Sequence, residues 1–188
     1  EHATVIRSRD NPALKRAGAV KAGKSPGAIL LEGELLVAEA RAAGLAFESV
    51  LVSEDRKSLA RELESSGLPV RRAEARLLAR VSDLVTSPGV LAVCASPTAR
   101  TPEQLDLGAD DLALVVAGIS DPGNLGALAR SAEASGASFL ALVAGGVSPW
   151  NPKALRGSMG SLLRLPVALF DAPHAAAEAL SLLGFRQV

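Results

Sequence analysis

Short apolar runs alternate with helix-type patterns along most of the chain, and this alternation restricts the fold more than any other feature. Runs of strand length predict β-strands at residues 28–31, 49–52, 69–71, 90–95, 112–116, 139–143 and 167–170. The run at 112–116 is continuously apolar, so we expect that strand to be buried. Amphipathic segments between the runs end at glycines such as Gly44, Gly67 and Gly136. Such alternation is typical of α/β proteins, and we expect a parallel sheet in the second half.

A change in composition divides the chain into two parts. Residues 98–111 are rich in Pro, Thr, Gly and acidic residues, which predicts a linker between a domain at residues 1–97 and a domain at residues 112–188. Residues 185–188 predict the start of a further strand at the end of the sequence. We therefore expect the second domain to be incomplete in this chain.

The composition predicts a folded protein without a membrane span or a metal site. Of 188 residues, 48% are hydrophobic, and no apolar run approaches the ~18 residues that a membrane-spanning helix needs. Cys94 is the single cysteine, which excludes an internal disulfide and favours a reducing, cytoplasmic location. His2 and His174 lie far apart, so no metal ligand set is expected.

Net charge is zero, so only local basic patches can argue for contact with nucleic acid. Six Lys or Arg residues lie between Arg7 and Lys24, against Asp10 alone. The strongest candidates for phosphate contact in this patch are Arg7, Arg9, Lys15 and Arg16. A solvated basic face with no ligand is an equally good interpretation of this patch. A second basic stretch lies between Glu133 and Asp171. It contains Lys153, Arg156 and Arg164 and no acidic residue.

Residues 121–130, with the sequence Asp-Pro-Gly-Asn-Leu-Gly-Ala-Leu-Ala-Arg, follow a predicted strand and begin a helix. We expect Asn124 to cap this helix, since its side-chain oxygen can accept from the first-turn N–H groups. Leu125, Leu128, Ala129 and Ala132 form the buried stripe, and Arg130 points away from it. A polar residue at the helix start and a cation deeper along it suit a polar ligand, although an ordinary cap and a solvated arginine would look the same.

A second motif lies at residues 149–167. Pro152 suits the first turn of a helix that carries Lys153 and Arg156. Ser158, Gly160 and Ser161 then permit the close backbone approach that a phosphate or cofactor requires. Trp150 could stack on a base or simply pack. No dinucleotide fingerprint, phosphate loop or nucleophile elbow occurs in the sequence.

Residues 121–130 and 151–167 resemble the first two motifs of the SpoU class of RNA ribose 2′-O-methyltransferases, which belong to the knotted SPOUT superfamily. Residues 8–15, 31–33 and 88–90 are similar to recurring pieces of that family's substrate-binding domain, which is related to a ribosomal protein of the large subunit. The resemblance covers essentially the whole chain. It implies a small N-terminal α/β RNA-binding domain followed by a parallel-sheet SPOUT domain with a trefoil knot.

The resemblance also implies an activity and a set of site residues. A homodimer would transfer methyl from S-adenosylmethionine to a ribose 2′-hydroxyl of RNA, with ribosomal RNA favoured over transfer RNA. Asn124 and Arg130 would be catalytic, with Arg130 either handling the hydroxyl proton or holding a phosphate. The expected RNA contacts are Arg156, Ser158, Lys153, Arg7, Arg9, Lys15 and Arg16.

The family's third motif, a Gly-Glu-rich turn followed by a Ser-Leu-Asn segment, does not occur in this sequence. In the family this part closes the knot and makes most contacts to S-adenosylmethionine. Cofactor contacts are therefore expected mostly beyond Val188, and these residues alone are expected to be inactive. A non-catalytic RNA-binding protein that keeps the fold is the alternative function.

Overall fold

The computed structural model describes residues 5–105, 107–108 and 110–186. The chain divides into two units, the first ending at Ser96 and the second beginning at Pro97. The strands of the first unit are β1 (Ala28–Glu32), β2 (Phe47–Ser53), β3 (Val70–Ala73) and β4 (Val90–Ala95). Its helices are α1 (Pro12–Lys21), α2 (Glu34–Ala42), α3 (Lys57–Ser65) and α4 (Ala75–Val81). The predicted alternation of strands and helices is confirmed in this half.

The first unit contains a mixed sheet with the strand order β1-β4-β2-β3. Strand β4 lies antiparallel to both β1 and β2, while β2 and β3 are parallel. One face packs on α1 and α4 through Leu30, Leu51, Leu91 and Val93. Alternate residues point to the opposite face, and those on β1 and β2 are also buried, since α2 and α3 contact the sheet. The unit therefore has helices against both faces of its sheet.

The second unit contains a parallel sheet, as the sequence predicted. Its strands are β5 (Leu112–Val116), β6 (Ala137–Val143) and β7 (Val167–Phe170), in the order β5-β6-β7. Its α-helices are α5 (Pro122–Ala134), α6 (Pro152–Gly157), α7 (Ser161–Arg164) and α8 (Pro173–Leu182). The sequence predicted a short helix from Pro152 to about Met159, which corresponds to α6, and it predicted no helix where α7 lies. Met159 and Gly160 both have positive φ, 53° and 93°, and this interrupts the helix.

The expectation that Leu112–Val116 is a buried strand is wrong. The side chains of Leu112 and Val115 are 46% and 45% exposed, and only Val116 is buried. The reason is that β5 is an edge strand, which pairs with β6 alone among the described residues. A continuous apolar run cannot distinguish a central strand from an edge strand.

Residues on either side of the second sheet also differ from the sequence prediction. The segment predicted as a linker, residues 98–111, packs on the second unit: Arg100 N donates to Val167 O over 2.8 Å, and Leu105 and Leu107 contact the core around Phe139. Phe185, predicted to begin a strand, instead packs its ring edge-on against Phe139 at 5.9 Å between centroids. The end of that predicted strand, residues 187–188, lies outside the described residues.

The helices within the described ranges include none that is both long and apolar enough to cross a bilayer.

Candidate functional site

Helix α5 begins with a cap from Asp121, which corrects the expectation for Asn124. Asp121 Oδ1 accepts from the backbone N–H of Asn124 over 2.9 Å, and Pro122 occupies the first turn. Asn124 is therefore inside the helix, where its side chain is exposed and makes no cap. This difference matters because the amide of Asn124 is not used to hold the helix and remains available to a ligand.

Helix α5 packs on α6 through glycines, with backbone against backbone. A Cβ atom at Gly126 would lie 2.6 Å from Ala154 O and 2.7 Å from Gly157 C and Ser158 N. A Cβ at Gly157 would lie 3.3 Å from Gly123 O. Side chains at these positions would push the helices apart. The glycines of the two sequence motifs therefore let the motifs lie side by side.

Two charged contacts join the ends of α5 to α6 and to α7, one on either side of the glycines. Lys153 Nζ donates to Asp121 Oδ2 over 2.8 Å, which lowers the pKa of the Asp121 carboxyl. Further along, Glu133 accepts from Arg164 Nε at 2.6 Å and from Ser161 Oγ at 2.6 Å. The Arg164 guanidinium, with help from the Ser161 hydroxyl, lowers the pKa of Glu133. The second motif thus lies along α5 with its residues in the same N- to C-terminal order. An ion pair joins the two near each end of α5.

The loops that follow β5 and β6 meet at the carboxyl edge of the sheet. Val147 N donates to Ile119 O over 2.8 Å, and a Cβ at Gly146 would lie 2.8 Å from the same oxygen. Parallel sheets bind ligands at the carboxyl ends of their strands, where such loops and helix starts converge. Both sequence motifs begin at this edge.

Asn124 and Arg130 are exposed, as their positions in the sequence predicted. Neither side chain forms a hydrogen bond or ion pair with the residues that the structure describes. Arg130 follows Gly126 by four residues, so it lies one turn along the helix from the α6 contact and flanks it. Asn124 is six residues earlier, about 9 Å along the axis and about 120° around it. Asn124 therefore does not orient Arg130, and the two side chains can grip different parts of a ligand.

The predicted RNA contacts of the second motif have different environments. Lys153 is exposed but paired with Asp121, and Arg156 is half-buried at the end of α6. Ser158 is fully buried: its hydroxyl donates to Leu155 O over 2.8 Å and accepts from Leu162 N over 3.3 Å. The expectation that Ser158 contacts RNA directly is therefore not supported, because both functions of its hydroxyl serve the α6–α7 turn.

The N-terminal cations have acidic partners, and two of these, Glu48 and Glu74, are distant in the sequence. Arg16 Nε donates to both carboxylate oxygens of Glu48, at 2.9 Å and 3.0 Å. Arg7 lies 3.4 Å from Glu74, and Lys15 lies 2.9 Å from Asp10. Arg9, the fourth member, reaches Asp10 only at 4.0 Å. These four residues lie in the first unit as predicted, but their positive charge is largely compensated there.

Sequence reasoning missed the roles of Asp121 and Glu133. Asp121 could have been found, because an Asp directly before Pro at a helix start is a common capping pattern. Glu133 follows Gly126 by seven residues and shares its helix face, so it also had a periodic signal. Within the described ranges, no cluster of three or more His, Cys, Asp or Glu residues could hold a metal ion.

Comparison with known proteins finds sequence similarity to RNA methyltransferases. Residues 111–188 match the model of the family described as SpoU rRNA Methylase family. Human mitochondrial rRNA methyltransferase 3 is 34% identical over 150 residues, which cover 75% of this chain and 34% of that protein. The chain spans about a third of the length of the mitochondrial relatives that it matches and 60% of a relative from Synechocystis.

Solved structures give the same result at the level of the fold. A crystal structure of an RNA 2′-O ribose methyltransferase superimposes with a TM-score of 0.79 at 27% identity, over 96% of this chain and 70% of that one. The SpoU methyltransferase AviRb from Streptomyces viridochromogenes, in complex with AdoMet, shares the fold with a TM-score of 0.79 at 24% identity, over 93% of this chain and 68% of that one. Residues 111–188 are therefore similar in sequence to the SpoU rRNA methylase family, and the chain shares the fold of these solved methyltransferases.

Proposed function

We propose that this protein uses S-adenosylmethionine to methylate a ribose 2′-hydroxyl in RNA, with ribosomal RNA favoured over transfer RNA. The observation that carries the proposal is the contact between α5 and α6, which brings both motifs together while Asn124 and Arg130 stay exposed. The names of the matched relatives support RNA as the substrate.

The chemistry is an in-line displacement, in which the 2′-oxygen attacks the methyl carbon while the carbon–sulfur bond breaks and its electron pair stays on sulfur. The protein must hold the hydroxyl in line and let its proton leave. An arginine side chain stays protonated at neutral pH, so Arg130 is a poor base. We assign it to the phosphate beside the reacting ribose, where two parallel N–H donors fix the nucleotide. Asn124 then hydrogen-bonds the ribose.

S-adenosylmethionine supplies the activated methyl group when it is bound. The carboxyl-edge loops at Ile119 and Gly146 pack backbone against backbone, and no described side chain is assigned to the cofactor. Arg156 and Lys153 lie on the helix beside Arg130 and extend the positive surface for RNA. Arg164 is assigned a structural role, because its guanidinium holds Glu133.

The remaining parts of the proposal concern organisation. Residues 1–97 would select the RNA, and residues 112–188 would form the first part of a SPOUT domain with a trefoil knot. The protein would act as a cytoplasmic homodimer, with cofactor contacts mostly beyond Val188. Burial raises the pKa of the Cys94 thiol to about 12, so the protein carries no reactive thiol at neutral pH in that unit. This agrees with a reducing compartment.

The experiment is transfer of labelled methyl from S-adenosylmethionine to total ribosomal RNA by the full-length protein and by Arg130→Ala. Loss of the phosphate clamp is expected to lower kcat/KM about 100-fold or more. Arg186→Ala is the matched control, because Arg186 is an exposed arginine of the same unit outside the site, and it should retain full activity. The product should be a single alkali-stable dinucleotide, which identifies ribose methylation.

The outcomes separate the two candidate functions. Transfer that Arg130→Ala abolishes supports the methyltransferase and the assignment of Arg130. Tight RNA binding without transfer, on RNA both with and without prior modification, would favour the non-catalytic binding protein instead. Equal activity of Arg130→Ala and the unaltered protein would overturn the assignment of this residue.

A further inference from the structure

A polar cavity of about 290 Å³ opens on the first unit, distinct from the predicted basic patch. It lies where β2 ends and α3 begins, opposite the loop that precedes β4. The residues that line the cavity include Ser53, Asp55, Arg56, Ser87, Pro88 and Gly89. The volume lies near the lower end of the range for small-ligand pockets, which suits one flat ring system rather than a whole nucleotide chain.

Ser53 provides the strongest sign that the cavity is built for a ligand. The residue is 2% exposed, and its hydroxyl oxygen has no hydrogen-bond partner of good geometry among the described groups. A buried hydroxyl without a partner costs free energy, so such groups are rare unless a ligand or water completes them. The hydroxyl lies close enough to Asp55 to lower the pKa of that carboxyl, which is therefore ionised at neutral pH.

The cavity is rich in hydrogen-bond acceptors and has a fixed flat wall. Asp55 offers a carboxylate, and the Ser53 and Ser87 hydroxyls can each accept. Arg56 is held in place, since Nη1 donates to Pro88 O over 2.8 Å and Nη2 pairs with Glu34 at 2.5 Å. Gly89 permits this arrangement, because a Cβ there would lie 2.8 Å from Arg56 Cδ. A planar guanidinium that cannot move is a stacking surface for an aromatic ring.

We propose that this cavity binds one unpaired RNA nucleobase through an exocyclic amino group, which donates to Asp55 and Ser53 while the ring stacks on Arg56. The inference rests on the proposed function, because it treats the first unit as the part that selects RNA. Amino-bearing bases fit because the lining offers a carboxylate, whose interaction with a base amino group distinguishes bases. A phosphate does not fit, since Glu34 and Asp55 outnumber the single cation Arg56.

The test measures binding of the full-length protein to labelled single-stranded RNA of nine cytidines, nine adenosines or nine uridines. The unaltered protein should bind the cytidine and adenosine oligomers about tenfold more tightly than the uridine oligomer. Asp55→Asn should reduce this preference to about threefold or less, and Ser53→Ala should weaken cytidine binding about threefold. Glu62→Gln is the control for Asp55, because Glu62 is an exposed carboxylate on α3 outside the cavity.

Ser49→Ala is the matched control for Ser53→Ala. Ser49 lies on the same strand, is 6% exposed and also has an unpartnered hydroxyl, but it does not line the cavity. Neither serine hydroxyl has a hydrogen-bond partner of good geometry among the described groups, so both variants should melt close to the temperature of the unaltered protein. Only Ser53→Ala should change RNA binding. A melting check therefore separates a lost ligand contact from a folding defect.

The same proteins are assayed for methyl transfer to total ribosomal RNA, so the two proposals can fail separately. Transfer by the unaltered protein with no preference among the three oligomers would overturn the base pocket alone. A preference that persists in Asp55→Asn and Ser53→Ala would also overturn it. A preference that both variants lose, in a protein that transfers no methyl to any RNA, would support the pocket and overturn the proposed methyltransferase.

Discussion

Helices α1 and α5 begin in the same way and serve different ends. Each starts with a side-chain cap followed by proline: Asn11 accepts from the N–H of Ala13 at 3.0 Å, and Asp121 accepts from that of Asn124 at 2.9 Å. Each also contains a glycine and a surface arginine. In α1, Gly18 has no atom within 4 Å of a hypothetical Cβ, whereas in α5 the corresponding space at Gly126 is filled by the α6 backbone.

The arginines of the two helices also differ in whether the rest of the fold contacts them. Arg16 on α1 is held by both oxygens of Glu48, while Arg130 on α5 has no hydrogen bond or ion pair to a residue that the structure describes. The comparison teaches that similar local sequence can build either a supporting helix or a helix that presents a site. The difference lies in what the rest of the fold brings against each helix.

The largest change in stability should come from substituting Gly126, with the same substitution at Gly18 for comparison. Gly126→Ala places a Cβ within 2.7 Å of backbone atoms of α6, so the helices must separate at a cost of about 3 kcal/mol. Gly18→Ala meets open space and should instead stabilise by about 0.7 kcal/mol, since alanine favours the helix. Urea unfolding of the two variants measures both values. Equal and small effects would show that α5 does not rest on α6 as described.

A smaller effect should come from the charged contact at the far end of α5. The folded-state pKa of Glu133 lies below its unfolded value, so its stabilisation is present above pH ~4.5 and is lost as the pH falls through the folded-state pKa. Glu133→Gln should cost about 1 kcal/mol at pH 7, because the pair with Arg164 is partly exposed. The difference in unfolding free energy between this variant and the unaltered protein should shrink towards pH 3. A difference that stays constant with pH would contradict this account.

The smallest effect concerns the paired arginine of α1. Glu48→Gln removes the partner of Arg16 and should raise affinity for RNA about twofold at low salt, because one phosphate-binding cation is released. The gain should disappear at high salt, where screening weakens contacts to phosphate. Filter binding at two salt concentrations measures the change in affinity. Glu62→Gln is the control, because Glu62 is an exposed acid with no ion pair to any residue that the structure describes. An unchanged affinity at low salt would mean that Arg16 does not face RNA.

Much of the fold could be predicted because the signals are local. Apolar runs located every strand that the structure describes, and Pro152 located the start of α6, since a first-turn proline acts within that turn. The start of α5 was expected at Asn124, two residues later than observed. Burial within β5 could not be predicted, because it depends on whether a neighbouring strand covers each side. Helix α7 was not predicted, because it depends on a turn in which Met159 has positive φ, and methionine rarely adopts this conformation.

The candidate site shows the same division. The sequence by itself determined that Asn124 and Arg130 share one helix off its apolar stripe, since a period of 3.6 residues fixes which side chains point together. Only the tertiary structure decided that Ser158 is buried, that Glu48 and Glu74 compensate the N-terminal arginines, and that Asp121 and Glu133 fasten the two motifs. These contacts join residues separated by 28 to 67 positions, and charge and packing depend on distance in space rather than along the chain.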